Sequence, residues 1–310
     1  MRRAAGLLLL LLLAGACTVG PDYKRPNVNV PATFRSQEPG TAAPASMGDL
    51  TWWTVFEDET LQQLIRIALK ENYDLNIAAA RVLESRAALT ATRSFQFPEI
   101  NAGGSAIYQR VEGKLTPFQF QDQFAPNAGF DFSFELDFWG RLRRATEAAR
   151  ADLFASEDAR RFVMTTLVTD VASTYLQLRS LDGELEVSRR TLAARQDSLR
   201  LVQMRERGGV AAMIDVRQAE ILVAQAAEAV VDTERLVEQT ENALSILLGR
   251  NPDNVPRGRA LAQQFTIPPV PAGVPSALLE RRQDVRQAEA QLAAATARIG
   301  VAKADYFPRI

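Results

Sequence analysis

Apolar residues recur every seven positions along two stretches in the second half of the chain. The first stretch, residues 141–207, contains no proline and one glycine, Gly183. At 1.5 Å per residue, one helix over this range would measure about 100 Å, several times the size of a globular core. The pattern therefore predicts a long coiled-coil helix. Its heptad positions are Met164, Val171, Leu178, Leu185, Leu192 and Leu199.

The second stretch, residues 212–249, predicts a helix that returns along the first. The heptad continues in Val216, Val223, Val230, Val237 and Leu244. Gly208 and Gly209 predict the reversal, and Asp215 is a candidate N-cap for the return helix. We expect an antiparallel helical hairpin. Heptads alone are weak evidence for function, because many structural coiled coils have them.

Strict alternation of apolar and polar residues marks a different element before the long helix. Period two predicts a strand with one apolar and one polar face. The apolar set is Phe130, Phe132, Phe134, Leu136 and Phe138, and the polar set is Asp131, Ser133, Glu135 and Asp137. We predict strands at about residues 98–110 and 127–139, joined by a loop over residues 113–125.

A soluble hairpin can show the same alternation, so this segment alone does not decide between water and membrane. Its length and its aromatic face favour a membrane strand with lipid on one side and water on the other. On this interpretation Phe130, Phe132, Phe134 and Phe138 face lipid. Asp131, Glu135 and Asp137 are candidates for lining a pore, although a polar strand face also serves simple solubility.

Residues 74–100 repeat without gaps at residues 284–310, an offset of 210. Identical pairs include Asp74 and Asp284, Phe97 and Phe307, and Pro98 and Pro308. The similarity predicts a first structural repeat over residues 51–283 and the start of a second at 284–310, and hence a longer protein. Within the first repeat we expect a short helix over residues 59–71 capped by Asp58, a second helix capped by Asp74 that ends near Phe95, and a proline-rich segment over residues 250–283.

The N-terminus has the features of an export signal. A basic start is followed by a short apolar run rich in leucine and then by small residues before Cys17. The run is too short to span a bilayer, and the lone cysteine stands where a lipoprotein is acylated. We predict a lipoprotein signal peptide at residues 1–16, lipidation at Cys17 and an extended tether over residues 17–50, although an ordinary signal with an incidental cysteine is the alternative.

Composition excludes several classes of function. The sequence has no histidine and one cysteine, which removes imidazole bases and the usual His/Cys metal sites. No pair of carboxylates lies in a recognisable catalytic context. The formal net charge is −1, with basic and acidic residues interspersed along the helices, as on solvated coiled-coil faces. We therefore expect no enzyme activity, no cofactor, no metal and no binding to nucleic acid.

Several segments resemble the TolC-like outer-membrane efflux factors, in particular the lipoprotein branch that serves resistance-nodulation-division pumps. Residues 17–26 resemble the start of the mature family members, and Trp52 and Trp53 with Phe56 and Asp58 resemble the next block. Residues 135–141 are similar to the strand-to-helix junction, and residues 247–249 with Pro252 are similar to the end of the hairpin. Residues 275–308 resemble the opening of the second repeat, except that Gln283 replaces a usual proline.

The resemblance implies a mostly α-helical fold with a small membrane β part. By the same resemblance the long helices would form a coiled-coil barrel in the periplasm, and the strands of a homotrimer would share one transmembrane β-barrel in the outer membrane. It implies a passive exit duct for drugs or other small molecules, served by a periplasmic adaptor and an inner-membrane pump. The hairpin tip would meet the adaptor through Arg205, Arg207, Gly208, Gly209 and Val210. A periplasmic coiled-coil adaptor or a structural lipoprotein is the alternative.

Overall fold

A computed structural model of the chain describes residues 18–29, 56, 58–112, 120–260 and 279–310. Cys17, Trp52 and Trp53 lie outside the described residues, as do most of the predicted tether and residues 261–278. The described elements are, in chain order, α1 (Glu59–Glu71), α2 (Tyr73–Ser94), β1 (Glu99–Glu112), β2 (Phe120–Ser133), α3 (Arg141–Arg207), α4 (Met213–Leu247) and α5 (Gln283–Ala304).

The chain divides into two compact units, and the residues of α3 are shared between their ranges, whereas α4 falls wholly within the second. The first unit takes its described residues from Met1–Val28, Arg81–Glu157 and Val285–Ile310. The second takes them from Asn29–Ala80 and Asp158–Asp284. The strand pair therefore belongs to the first unit, and the turn between α3 and α4 belongs to the second.

Side-chain caps fix the starts of the first two helices. Asp58 accepts from the amides of Thr60 and Leu61 at the start of α1, as expected from the sequence. The cap of α2 differs from the prediction. Asn72, two residues before Asp74, accepts from the amide of Leu75 at 2.9 Å. Asp74 lies inside the first turn of α2, where its charge is favourable near the positive end of the helix dipole.

The return helix α4 also starts differently from the prediction. Asp215 is not the N-cap but lies in the first turn, and its Oδ2 accepts from the backbone amide of Ala212, the N-cap residue, at 3.0 Å. A capping box consists of two hydrogen bonds, and this one, from the N-cap amide to the side chain of the third helical residue, is present. The second bond needs an acceptor in the N-cap side chain, which alanine lacks. The range of α3, Arg141–Arg207, is the one that the sequence predicts.

The two strands form an antiparallel pair in which Glu99 lies opposite Ser133 and Glu112 opposite Phe120. The predicted bounds of the second strand are wrong: β2 begins at Phe120 and ends at Ser133. Residues 120–125, which we expected in the loop, therefore belong to the strand, and residues 134–139 lie beyond it. The alternation past Ser133 has another cause, described below.

A buried apolar cluster holds the second unit together. Leu61, Ile65 and Ala68 of α1 pack with one face of α3, on which the heptad residues Val171 and Leu178 are fully buried. Leu244, the last heptad residue of α4, belongs to the same cluster. Four residues of the two heptad stripes thus lie in the packing seam of this unit, namely Val171, Leu178, Val237 and Leu244, whereas Met164 is exposed.

Candidate functional site

Between Glu99 and Tyr108 the β1–β2 hairpin separates apolar from polar side chains by face, and Arg110 follows on the apolar face. Residues that lie opposite one another across the pair share a face of the sheet. One face carries Ile100, Ala102, Gly104, Ala106 and Tyr108 of β1 opposite Phe132, Phe130, Ala128, Pro126 and Phe124 of β2. The other face carries Glu99, Asn101 and Ser105 opposite Ser133, Asp131 and Asn127, with Ile107 as its one large apolar side chain among the described ones.

All the described side chains of both faces are exposed, including Phe130 at 86%. The large apolar residues lie toward the two ends of the apolar face, with Ile100 and Phe132 at one end and Tyr108 and Phe124 at the other. Eight residues of antiparallel strand separate these rows, or about 27 Å along the strand, which at a tilt of about 40° corresponds to a height of about 21 Å. Membrane strands show this arrangement, in which an apolar band about 25 Å tall is bordered by aromatic side chains.

The structure therefore brings together Phe130, Phe132 and Asp131 as the sequence predicts, with the phenylalanines on one face and the carboxylate on the other. Ile100, Tyr108 and Phe124 also lie on this apolar face, although the sequence did not predict them there. Their signal is a period-two pattern in residues 100–108, which small residues such as Gly104 conceal. Phe134 lies just past the strand and is exposed, whereas Phe138 is half-buried in the bend before α3.

Glu135 and Asp137 serve the junction between β2 and α3. Asp137 accepts from the amides of Leu142 at 3.1 Å and Arg143 at 2.9 Å, so that it satisfies two N–H groups of the first helical turn. Glu135 accepts from Nε and Nη2 of Arg141, at 2.9 and 2.6 Å, and this pairing raises the pKa of Arg141. The strand alternation that suggested a pore-lining role for these two carboxylates thus does not extend to them.

The N-terminal strap, defined here as residues 18–28, is held against the first unit. Its Val19 amide donates to the carbonyl of Trp139 at 3.0 Å, and Tyr23 and Arg25 both bond Glu289 of α5. Burial, and then the bond to Glu289, raise the pKa of Tyr23. Gly20, at φ +111°, lies against Gly300, where neither residue has room for a Cβ atom. The first part of the predicted tether is therefore docked rather than free.

Arg144 of α3 is the main polar contact beneath the strap. Its side chain is 5% exposed and pairs with Asp22 at 2.6 Å and with Glu147 at 2.8 Å. The hydrogen bond to Asp22 is the largest cause of its raised pKa. A buried guanidinium requires such partners, because an unpaired buried charge is costly. Thr18 packs against Gly140, so the strap begins next to the junction of β2 and α3.

The turn between α3 and α4 is a Schellman motif. The Val210 amide donates to the Arg205 carbonyl and the Gly209 amide to the Glu206 carbonyl, both at 2.9 Å, with Gly209 at φ +74°. This turn brings together the predicted tip residues Arg205, Arg207, Gly208, Gly209 and Val210, all exposed. Val210 is 82% exposed, and Met204, Met213 and Ile214 beside it in sequence are also exposed.

Two kinds of feature are missing from the described residues. No helix in this part of the chain combines the length and the apolar character needed to cross a membrane. No group of three or more Asp, Glu, His or Cys side chains in the same residues is placed to hold a metal ion.

A family model described as outer membrane efflux protein matches residues 64–250 of the chain, which is more than half of its length. The chain belongs to the outer membrane efflux protein family. Members of this family are efflux channel proteins and not enzymes. The match confirms the family suggested by the sequence.

The chain is similar to named members of the family. It is 35% identical over 312 residues to the solvent efflux pump outer membrane protein SrpC of Pseudomonas putida, covering 97% of this chain and 65% of that protein. It is 33% identical over 304 residues to the probable outer membrane lipoprotein SilC of Salmonella typhimurium, again over 97% of this chain and 65% of the relative. The chain thus spans about two thirds of the length of these relatives.

A solved structure of the outer-membrane channel OprN matches the chain with a TM-score of 0.81 at 31% identity, over 94% of this chain and 66% of that one. The mostly helical, TolC-like fold class is thereby confirmed.

Proposed function

We propose that the protein is the outer-membrane channel component of a tripartite efflux system, a passive exit duct for drugs or other small molecules. The observation that carries this proposal is the part of the β1–β2 hairpin between Glu99 and Tyr108, where the large aromatic side chains lie on one exposed face and the carboxylates of Glu99 and Asp131 lie on the other. Water on both sides would leave the aromatic face without a partner, whereas lipid on one side and an aqueous lumen on the other suit both faces.

The hairpin requires further strands. Among the described residues the sheet has two strands, so each strand has one free edge. Lipid supplies no hydrogen-bond partners for such edges, and membrane strands therefore close into barrels. A homotrimer that contributes strands to one shared barrel meets this requirement, and membership of the efflux family supports it.

The proposed location is the outer membrane, with lipid anchoring through Cys17 and with the helices extending into the periplasm. Cys17 precedes Thr18, which packs against Gly140 at the junction of the hairpin and α3. Acyl chains at this position would enter the bilayer where the apolar face of the hairpin begins. Two or more acyl chains anchor firmly, since each buried CH₂ contributes about 0.8 kcal/mol.

The proposed substrates and partners are those that membership of the family supports. The name of the relative SrpC refers to solvent efflux, and apolar small molecules of that kind are the proposed cargo. An inner-membrane pump would supply the energy for transport, and a periplasmic adaptor would connect that pump to the channel. The tip from Arg205 to Val210 is the proposed adaptor contact, because it presents two arginines and an exposed valine on a fixed turn.

Neighbouring residues on opposite faces of β2 provide the test. Phe130→Arg would place a charge on the lipid side, at a cost of up to about 2–4 kcal/mol at the bilayer centre. We expect this variant to lose insertion into the outer membrane. Asp131→Arg changes the adjacent residue on the other face, and we expect it to insert normally and to alter the cation-to-anion permeability ratio of single channels in planar bilayers.

The comparison is made on the full-length protein in outer-membrane fractions and after reconstitution. If Phe130→Arg inserts normally and Asp131→Arg fails to insert into the outer membrane, the assignment of the two faces is reversed. Absence of any conductance from the reconstituted wild-type protein would overturn the proposed channel function itself.

A further inference from the structure

Two glycines lie directly opposite one another on the polar face of the hairpin, Gly103 in β1 and Gly129 in β2. Pairs of polar residues flank them on the same face. These are Asn101 opposite Asp131 toward one end of the hairpin, and Ser105 opposite Asn127 toward the other. At the level of the two glycines the polar face therefore carries no side chain, and its backbone is uncovered.

Neither glycine is required by the fold of the hairpin. A Cβ atom added to Gly103 or Gly129 would meet nothing within 4 Å, and neither residue has the positive φ that favours glycine. Glycine inside a strand is unfavourable, because it packs no side chain and loses much conformational freedom on folding. Such a glycine commonly marks a bend or a place where another group approaches the backbone closely.

The glycine pair forms the floor of a recess of about 470 Å³. Sites for small molecules in proteins have volumes of about 300–1,000 Å³, so the recess has room for such a ligand. Most of the residues that line it belong to the polar face, namely Asn101, Gly103, Ser105, Asn127, Gly129 and Asp131, and the others are Ala102, Gly104 and Phe130. All of them are exposed, so the recess is an open site on the surface of the sheet.

The side chains around the floor favour positive charge. Asp131 supplies a carboxylate, and Asn101 supplies an amide oxygen beside it. No side-chain hydrogen bond or ion pair within the described residues engages the Asp131 carboxylate, whereas Glu99 accepts from Asn101 Nδ2 at 3.2 Å. Over the described stretch from Glu99 to Ile107 this face carries no Lys, Arg or His. A cation therefore suits the recess, and an anion would be repelled from it.

We propose that the recess is a weak docking site for bulky organic cations, protonated or quaternary amines, on the wall of the channel. The proposal rests on the proposed function, because it needs the polar face to line the aqueous lumen. The apolar groups of such a cation would lie on the uncovered backbone of Gly103 and Gly129. Asp131, about 7 Å along the strand from Gly129, would pair with its charge. Weak binding suits a channel, since a bound solute must also leave.

Block of the single-channel current by tetrabutylammonium tests the site. The full-length protein is reconstituted in planar bilayers, and the potassium current is measured at low salt, where the carboxylate is least screened. We expect tetrabutylammonium to reduce the current of the wild type in a concentration-dependent manner. A wild type that conducts without being blocked would remove the docking site and leave the channel. A wild type that does not conduct would remove both.

Two carboxylates of the same face separate a local site from a general negative field. Asp131→Asn removes the charge inside the recess and keeps the size of the side chain. Glu99→Gln removes the same charge from the same face, at a residue that does not line the recess. We expect the half-blocking concentration to rise about threefold or more in Asp131→Asn and much less in Glu99→Gln. Equal changes would assign the block to the charge of the whole face and overturn the site.

Neighbouring residues on opposite faces test the floor of the recess. Gly129→Leu places a side chain in the recess, whereas Ala128→Leu places the same side chain on the apolar face. We expect Gly129→Leu to raise the half-blocking concentration about threefold or more, because the leucine displaces the apolar groups of the cation. Ala128→Leu should be blocked as the wild type is.

Two results with the glycine variant would contradict the proposal. If Gly129→Leu is blocked at the wild-type concentration, the cation does not occupy the recess. If Gly129→Leu fails to insert into the outer membrane while Ala128→Leu inserts, the glycine serves the curvature of the sheet and not a ligand.

Discussion

The indole of Trp139 stacks on the ring of Phe307, with ring centroids 4.5 Å apart and planes 20° from parallel. Its Nε1 also donates to the carbonyl of Pro308 at 3.1 Å. Trp139 precedes α3 and Phe307 follows α5, so this pair ties the end of α5 to the start of α3. We expect Trp139→Ala to destabilise this junction by about 1–3 kcal/mol.

Hydrogen exchange of residues 305–310, followed by mass spectrometry, measures the effect. Trp139→Phe is the matched control, because it keeps an aromatic ring for the stack and removes only the N–H donor. It should fall between the wild type and Trp139→Ala. If Trp139→Phe exchanges as fast as Trp139→Ala, the hydrogen bond and not the stack holds the junction.

Tyr175 links two parts of the second unit through its hydroxyl. The group donates to Asp58 Oδ2 and accepts from the Gly258 amide, both at 2.9 Å, while Asp58 caps α1 with its other oxygen. Tyr175→Phe removes both bonds inside a buried site. We expect a loss of about 1–3 kcal/mol in the free energy of unfolding, measured by denaturant titration.

The same tyrosine predicts a dependence on alkaline pH. Burial is the main cause that raises the pKa of Tyr175 above its ordinary value of 10.0, and the bond to Asp58 adds to it. A group with a raised pKa in the folded state contributes stability that is complete below the unfolded pKa and is lost as pH rises through the folded one. The wild type should therefore lose more stability above pH 10 than Tyr175→Phe does. If the free energies of unfolding of the two proteins fall equally with pH, ionisation of Tyr175 does not contribute.

Gly300 and Gly183 are both helical glycines in different surroundings. A Cβ atom on Gly300 would lie 2.8 Å from the Val19 carbonyl, whereas one on Gly183 would meet nothing within 4 Å. We expect Gly300→Ala to displace the N-terminal strap and so to speed hydrogen exchange in residues 18–25. Gly183→Ala should leave the strap unchanged and stabilise α3 by about 0.5–1 kcal/mol. A strap that exchanges at the wild-type rate in Gly300→Ala would count against this packing.

Gly209 is the only one of the two turn glycines with positive φ, at +74°. Gly209→Ala is expected to cost about 1–2 kcal/mol of local stability, because an L-residue is strained in that conformation. Gly208→Ala is the control, with its nearest contacts at an ordinary 3.5 Å. Amide exchange in residues 204–213 compares the two. Similar exchange in both variants would show that the turn tolerates a side chain at either position.

The boundary of β2 shows why a clear sequence pattern can mislead. The alternation of phenylalanine with acidic residues continues to Phe138, but the strand ends at Ser133. Asp137 is used to cap α3 and Glu135 to pair with Arg141, so their spacing reflects the start of a helix and not a sheet face. Periodicity reports local geometry, and it cannot distinguish a strand from a capping segment that shares its spacing.

Long-range contacts were the part that the sequence did not reveal. The proline-rich composition after Cys17 predicts a segment without helix or strand, and residues 18–28 contain neither, but the bonds to Arg144 and Glu289 join residues more than a hundred positions apart. A long-range contact also explains why Asn72 and not Asp74 caps α2. The Asn72 side chain donates to the Leu247 carbonyl at 3.0 Å while it caps the helix. A carboxylate has no donor for that second bond.

Helices α2 and α5 are both 22 residues long, and both pack against α3, which restricts the mutations that they can tolerate. Adding one residue inside either helix would turn everything beyond it by about 100°, which carries the residues that pack against α3 away from their partners at once. Substitutions that keep the size of a side chain alter one contact only. Insertions and deletions in these helices should therefore be far less tolerated than substitutions, even at positions that face water.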